Sequence, residues 1–229
     1  MRRVSTILLL VGVSALFCAR AAAVMLPPAG LTLFPTEDPP SPAFWDFLQL
    51  GVRHIWTGYD HLLFLFGLLV VCRRFRSVVI IISCFTVAHS VTLALVTFGA
   101  VHLPARWVEP LIAASILFVG VENLVRRGAE AKGRGAVAFG FGLIHGFGFA
   151  NVLRDLGVGA SGSGVALPLL GFNLGVEIGQ VIVAAIALPL LWRLRRHPAF
   201  ERFGVPILSG FVAAVGLYWL LERTVLGGA

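Results

Sequence analysis

Charge is scarce in this chain: Asp, Glu, Lys and Arg make up 13% of its 229 residues, against 58% apolar residues. A soluble domain of this size cannot hide that much apolar surface. Cysteine is scarce too. Cys18, Cys72 and Cys84 form no CxxC pair, which excludes a disulfide framework, a dithiol redox motif and a thiolate metal site. No nucleotide-binding glycine loop is present. The net charge of +7 would suit a nucleic-acid partner only if it formed a patch, and the basic residues instead fall between apolar stretches. Disordered and coiled-coil classes fit the composition equally poorly.

What is present in quantity is hydrophobic sequence, with a mean hydropathy of +0.93 and long apolar runs recurring from Phe44 to Leu221. The fold class expected is all-α, a polytopic membrane bundle. Residues 1–23 begin with Arg2 and Arg3, continue through an apolar stretch and end in small residues before Val24. They read as a cleavable signal peptide. Residues 24–43 form a proline-rich extracytoplasmic lead-in, and residues 44–223 a six-helix transmembrane domain. Its spans are expected at about 46–71, 77–100, 107–125, 135–153, 165–192 and 203–221, each near the roughly 20 residues a bilayer requires. Eleven Lys and Arg lie in alternate connections, within 73–76, 126–134 and 193–202, and four, Arg53, Arg106, Arg154 and Arg223, lie at the opposite ends. By the excess of positive charge on the cytoplasmic side, both mature termini are expected outside a bacterial inner membrane.

Ionisable side chains inside a bilayer are costly, so they face protein or water and mark working sites. His61, His89 and His145 fall at a similar depth in spans one, two and four, with Asp60 beside His61 and with Asn173 and Glu177 on span five. Neutral imidazole suits nickel, zinc, copper and iron, and carboxylate or amide oxygens can complete or orient such a shell. The site expected therefore takes a divalent transition metal, with His54, Asp60, His61, His89, His145, Asn173 and Glu177 as candidate metal residues. In HIWTGYDH, His54 and His61 are seven residues apart, about 10.5 Å of rise in a straight helix. Either Gly58 permits a local distortion, or the two histidines form separate outer and deeper stations. Ser83, Thr86, Ser90 and Thr97 lie near one face of span two, where hydroxyls commonly bond their own helix. The glycines flanking His145 in FGFGLIHGFGFA allow close backbone approach or a broken helix. Glu122 precedes Arg126 by four residues, the spacing of an ordinary helical ion pair.

HIWTGYDH with the following Leu62–Phe66, then FTVAHS, VEPLIAASI with Glu122 and Asn123, FGLIHGFGFA and FNLGVEIGQ together resemble the HupE/UreJ family, in its type 2 branch. The likeness implies a nickel or cobalt permease and makes His54, Asp60 and His61 the metal residues of the first helix. Where better-described members carry two histidines and a glutamate close together on a later helix, this chain has His145 in HGFGF. The expected function is a permease passing a divalent metal, nickel first, through a His- and Asp-lined midplane site. The expected partners are that ion and the lipid bilayer, with no nucleic acid. Two rivals come from other classes. One is an intramembrane hydrolase holding catalytic zinc, as in alkaline ceramidase-like enzymes. The other is a membrane assembly factor whose polar residues only fix helix packing. A transporter fits the residues better than an enzyme, and no residue is assigned a catalytic or cofactor-binding role.

Overall fold

A computed structural model of the chain describes residues 44–127, 133–155, 158 and 165–226. The expected signal peptide and proline-rich lead-in lie outside these residues. Every regular element among the described residues is helical: α1 (Phe44–Thr57), α2 (Tyr59–Leu69), α3 (Phe75–Thr97), α4 (Ala105–Val125), α5 (Arg134–Asp155), α6 (Ala166–Leu194) and α7 (Val205–Leu221). Five-residue π-helical turns at Phe200–Gly204 and Glu222–Leu226 flank the last helix. Four stretches are long and apolar enough to cross a membrane: Phe75–Thr97, Ala105–Val125, Ala166–Leu194 and Phe200–Val225. The other two expected spans correspond to α1 with α2, divided at Gly58, and to the 22-residue α5.

The outward faces are apolar at helical spacing. On α6, Leu167, Leu170, Leu174, Ile178 and Val181 are exposed, and on α3 so are Val87, Val91 and Leu95. In water such a surface would drive association, whereas acyl chains match it. Trp45, Trp107 and Tyr218 are exposed at the helix ends that the charge pattern assigns to the outside, where amphipathic rings favour the headgroup level.

Three helix pairs build the bundle, and small residues set their closeness. Packing between α1 and α6 is parallel: a Cβ on Gly51 would lie 2.1 Å from the Phe172 carbonyl oxygen, and one on Gly175 would lie 2.1 Å from that of Leu48. Between α3 and α5, a Cβ on Gly146 would meet the His89 carbonyl at 2.5 Å, so the backbones nearly touch at the level of two histidines. The third pair, α4 with α7, is antiparallel, Gly120 facing Ala213 and Gly216 facing Leu117. Without a hydrophobic drive between helices in lipid, such dispersion contacts at short range hold the bundle.

The carbonyl end of α2 and its continuation is tied to four other residues. Asn123 Nδ2 donates to the Gly67 carbonyl at 2.8 Å and Arg134 Nη1 to that of Leu68 at 3.0 Å. Arg195 Nη2 reaches the Val70 carbonyl at 2.5 Å, and Trp192 Nε1 that of Cys72 at 3.1 Å. A helix C-terminus carries orphan carbonyls and partial negative charge, so arginines suit it on both counts. Arg134 is 3% exposed and also bonds Asn123 Oδ1 and Glu122, which in turn pairs with Arg126 as its spacing predicts.

Two measurements test this packing. Gly175→Ala forces α1 and α6 apart and should lower stability by about 1–3 kcal/mol, read as a lower thermal unfolding midpoint of the detergent-solubilised protein. Arg134→Ala removes the buried cation shared by the Leu68 carbonyl, Asn123 Oδ1 and Glu122, and the same assay should show a larger loss, about 3–5 kcal/mol.

Candidate metal centre

Gly58 is the device that assembles the site. Its backbone, at φ −80° and ψ 87°, breaks the first hydrophobic segment between α1 and α2. Its N–H still bonds the His54 carbonyl at 2.9 Å, and its own carbonyl accepts from Leu62 at 3.0 Å. Those angles are open to other residues, but a Cβ here would sit 2.6 Å from the His54 carbonyl and 3.2 Å from His61 Nδ1. Across this break the His54 and His61 rings stand 4.5 Å apart, centre to centre. Of the two arrangements open from the sequence, the local distortion is the one adopted, and the two histidines form a single station.

His89 of α3 joins them, at 5.7 Å from His54 and 5.8 Å from His61. One nitrogen from each of His54, His61 and His89 lies within 4.8 Å of the others, and these three form the His, Cys, Asp or Glu group able to hold a metal among the described residues. Nitrogens bound to one ion at about 2.1 Å would stand roughly 3.5 Å apart, so a small inward rotation of the rings closes the shell. His145 of α5 is the fourth ring, 4.8 Å from His61.

The hydrogen-bond inventory gives these rings their meaning. His54 Nε2, His61 Nε2, both nitrogens of His89 and His145 Nδ1 are buried without a hydrogen-bond partner. Each such group costs about 1–3 kcal/mol when left unsatisfied, which packing alone does not offset. Dry aromatic walls remove water as a remedy. Phe149 and Phe172 stack at 4.8 Å and lie against His54, while Phe64 and Phe85 lie against His145. The site falls between two hydrophobic clusters, one around Phe64, Phe85 and Ile116 and the other around Ile55, Leu93 and Phe172.

Ser115 of α4, which sequence reasoning missed, fixes the orientation of His145. Its hydroxyl donates to the Ile112 carbonyl at 2.6 Å, and its oxygen stands 2.9 Å from His145 Nε2. A serine hydroxyl has one proton, so that proton goes to the carbonyl and His145 Nε2–H donates to Ser115. The tautomer left has an unprotonated Nδ1, the form in which imidazole binds metal. A lone buried serine in an apolar helix was the available signal.

The oxygen candidates stand elsewhere. Asp60 is held by Arg223, whose Nη2 lies 3.2 Å and 3.3 Å from its two carboxylate oxygens. Asn173 donates to the Leu169 carbonyl at 2.8 Å and leaves Oδ1 buried and unpartnered. Its side chain also interacts with the His89 ring. Glu177 is half-buried one turn further along α6 and outside the imidazole group. Of the span-two hydroxyls, Ser90 bonds its own helix at the Thr86 carbonyl, as expected for such residues, while Thr86 donates across to Gln180 Oε1 at 3.0 Å.

A family model described as HupE / UreJ protein matches residues 33–223. Among curated proteins and among solved structures, none matches the chain.

If Ser115 sets the His145 tautomer, Ser115→Ala should weaken binding of a divalent transition metal by about 10–100-fold, more than the about 1–3 kcal/mol that one stranded N–H takes from metal-free stability would give through destabilisation alone. Calorimetric titration of purified protein, beside a thermal melt, separates the two effects.

Proposed function

Because the chain belongs to the HupE/UreJ family, we propose that it is a multi-pass membrane permease for a divalent transition metal, with nickel as the first cargo to test. The observation carrying this reading is the set of five buried, partnerless imidazole nitrogens on four rings from α1, α2, α3 and α5. A soft or borderline cation takes one unprotonated nitrogen from each ring, and neutral imidazole is its natural ligand. His54, His61 and His89 form the core of the shell. His145, oriented by Ser115, supplies a fourth donor, and Asn173 supports the shell from behind His89. Glu177 lies on the same face of α6 as Asn173, towards the cytoplasmic end, and receives the ion or a counter-proton after the imidazoles release it.

Six spans, extracytoplasmic termini and a bacterial inner-membrane location complete the proposal, supported by the basic residues clustered in alternate connections. A mostly imidazole shell favours a carrier over the zinc hydrolase. Hydrolysis needs a base beside metal-bound water, and Asp60 is paired with Arg223 while Glu177 lies outside the group.

Cells expressing the protein should accumulate nickel above vector controls. His61→Ala and His145→Ala should each reduce that uptake by at least about tenfold, the scale of losing one metal ligand or its orientation, at equal membrane expression. Uptake unchanged in both variants would defeat the permease reading, and a zinc ion retained at one per chain through purification would favour the hydrolase.

A further inference from the structure

We propose that Arg223 is the outer gate of the imidazole site, a tethered guanidinium that occupies Asp60 until an incoming divalent cation displaces it. This inference rests on the metal reading given above and adds the element that controls entry.

Position comes first. Asp60 follows the Gly58 break and directly precedes His61 in the first turn of α2, at the end that the charge pattern assigns to the outside, and the charge of its partner Arg223 reaches His145. There it is 26% exposed and its partner Arg223 19% exposed, at the boundary between the dry interior and the surface. Deeper in, His61 is 7% exposed and His89 and His145 are fully buried. The ion pair therefore lies nearer the surface than these three rings, at the same end of α2 as His61.

The partner is a cation already in the protein. Arg223 Nη2 bridges both oxygens of Asp60, Nη1 donates to the Glu109 carbonyl at 3.2 Å, and the guanidinium lies over the Trp219 ring at 5.4 Å. An aspartate so engaged cannot take a second cation, and a fixed positive charge at the entrance repels a divalent one. Exchange removes both obstacles: the arriving ion takes the carboxylate, and the guanidinium retreats towards the exposed Glu109, whose carbonyl it already holds. Charge at Asp60 is balanced before and after, so neither state buries an unpaired carboxylate.

The backbone that carries Arg223 suits a moving part. It belongs to the π-helical turn Glu222–Leu226 that follows α7. Such turns are rare and frequently accompany function, because their looser hydrogen-bond register shifts at low cost. The opposite end of α2 is tied by Asn123, Arg134, Arg195 and Trp192 to four backbone carbonyls, whereas the outer tie is a single side-chain pair.

Access can be measured without any metal. In a chain with Cys18, Cys72 and Cys84 replaced by alanine and carrying His61→Cys, a membrane-impermeant thiol reagent applied from outside should react slowly. Adding Arg223→Gln should speed labelling by about tenfold or more, the scale of one lost charged hydrogen bond. Asp60→Asn, which frees the arginine from the other side, should do the same, and Arg223→Lys should stay slow. Equal labelling rates across the series would overturn the gate, and agreement of the two independent releases separates gating from misfolding. In parallel, purified protein with its native histidines should bind nickel more tightly by several-fold in Arg223→Gln than in wild type. Absence of nickel binding in wild type would overturn the metal reading, and intact but equal binding with equal labelling would overturn the gate alone.

Discussion

The constraint on which the structure turns is that polar atoms inside a membrane bundle must find partners within it. The backbone meets that demand by being helical throughout the described spans. Thr86 and Gln180 meet it across α3 and α6, and Arg134 meets it through three acceptors. Among the described residues, His54, His61 and His89 gather with one ring nitrogen each within 4.8 Å of the others, and the His145 ring stands 4.8 Å from that of His61. Thr97 Oγ1, Asn173 Oδ1 and Ser209 Oγ are buried without a partner too, but the imidazoles are where such atoms from several helices cluster.

That gathering depends on how closely the helices approach. Gly146 lets α5 run against the His89 backbone, Gly51 and Gly175 bring α1 onto α6, and Gly58 kinks the first hydrophobic segment so that residues seven apart share a station. The same glycines that lower intrinsic helix propensity therefore set the distances between ligands. Aromatic rings close the remaining volume on both sides, so the site is dry and its electrostatics strong.

Much of this was legible in the chain. The apolar runs placed the four described helices long enough to cross a membrane within a few residues, the Glu122–Arg126 pair followed from spacing, and the rarity of imidazole within hydrophobic sequence singled out His61, His89 and His145. What stayed hidden was whatever depends on partners far apart along the chain. Asp60 reads as a metal residue from its neighbour His61, and its partner Arg223 lies 163 positions away. Ser115 carries no local pattern to mark it, because its role comes from a ring on another helix. The choice between one station and two turned on whether Gly58 continues a helix, and tertiary packing decides that where propensity does not.

The arginines at the inner end of α2 serve two masters. Arg134 and Arg195 belong to the basic clusters on which the expected orientation rests, and both are spent on capping carbonyls of the first hydrophobic segment. Biogenesis and architecture thus draw on the same side chains. Moving that positive charge to the other ends of the helices would therefore take away the caps of the scaffold together with the charge bias.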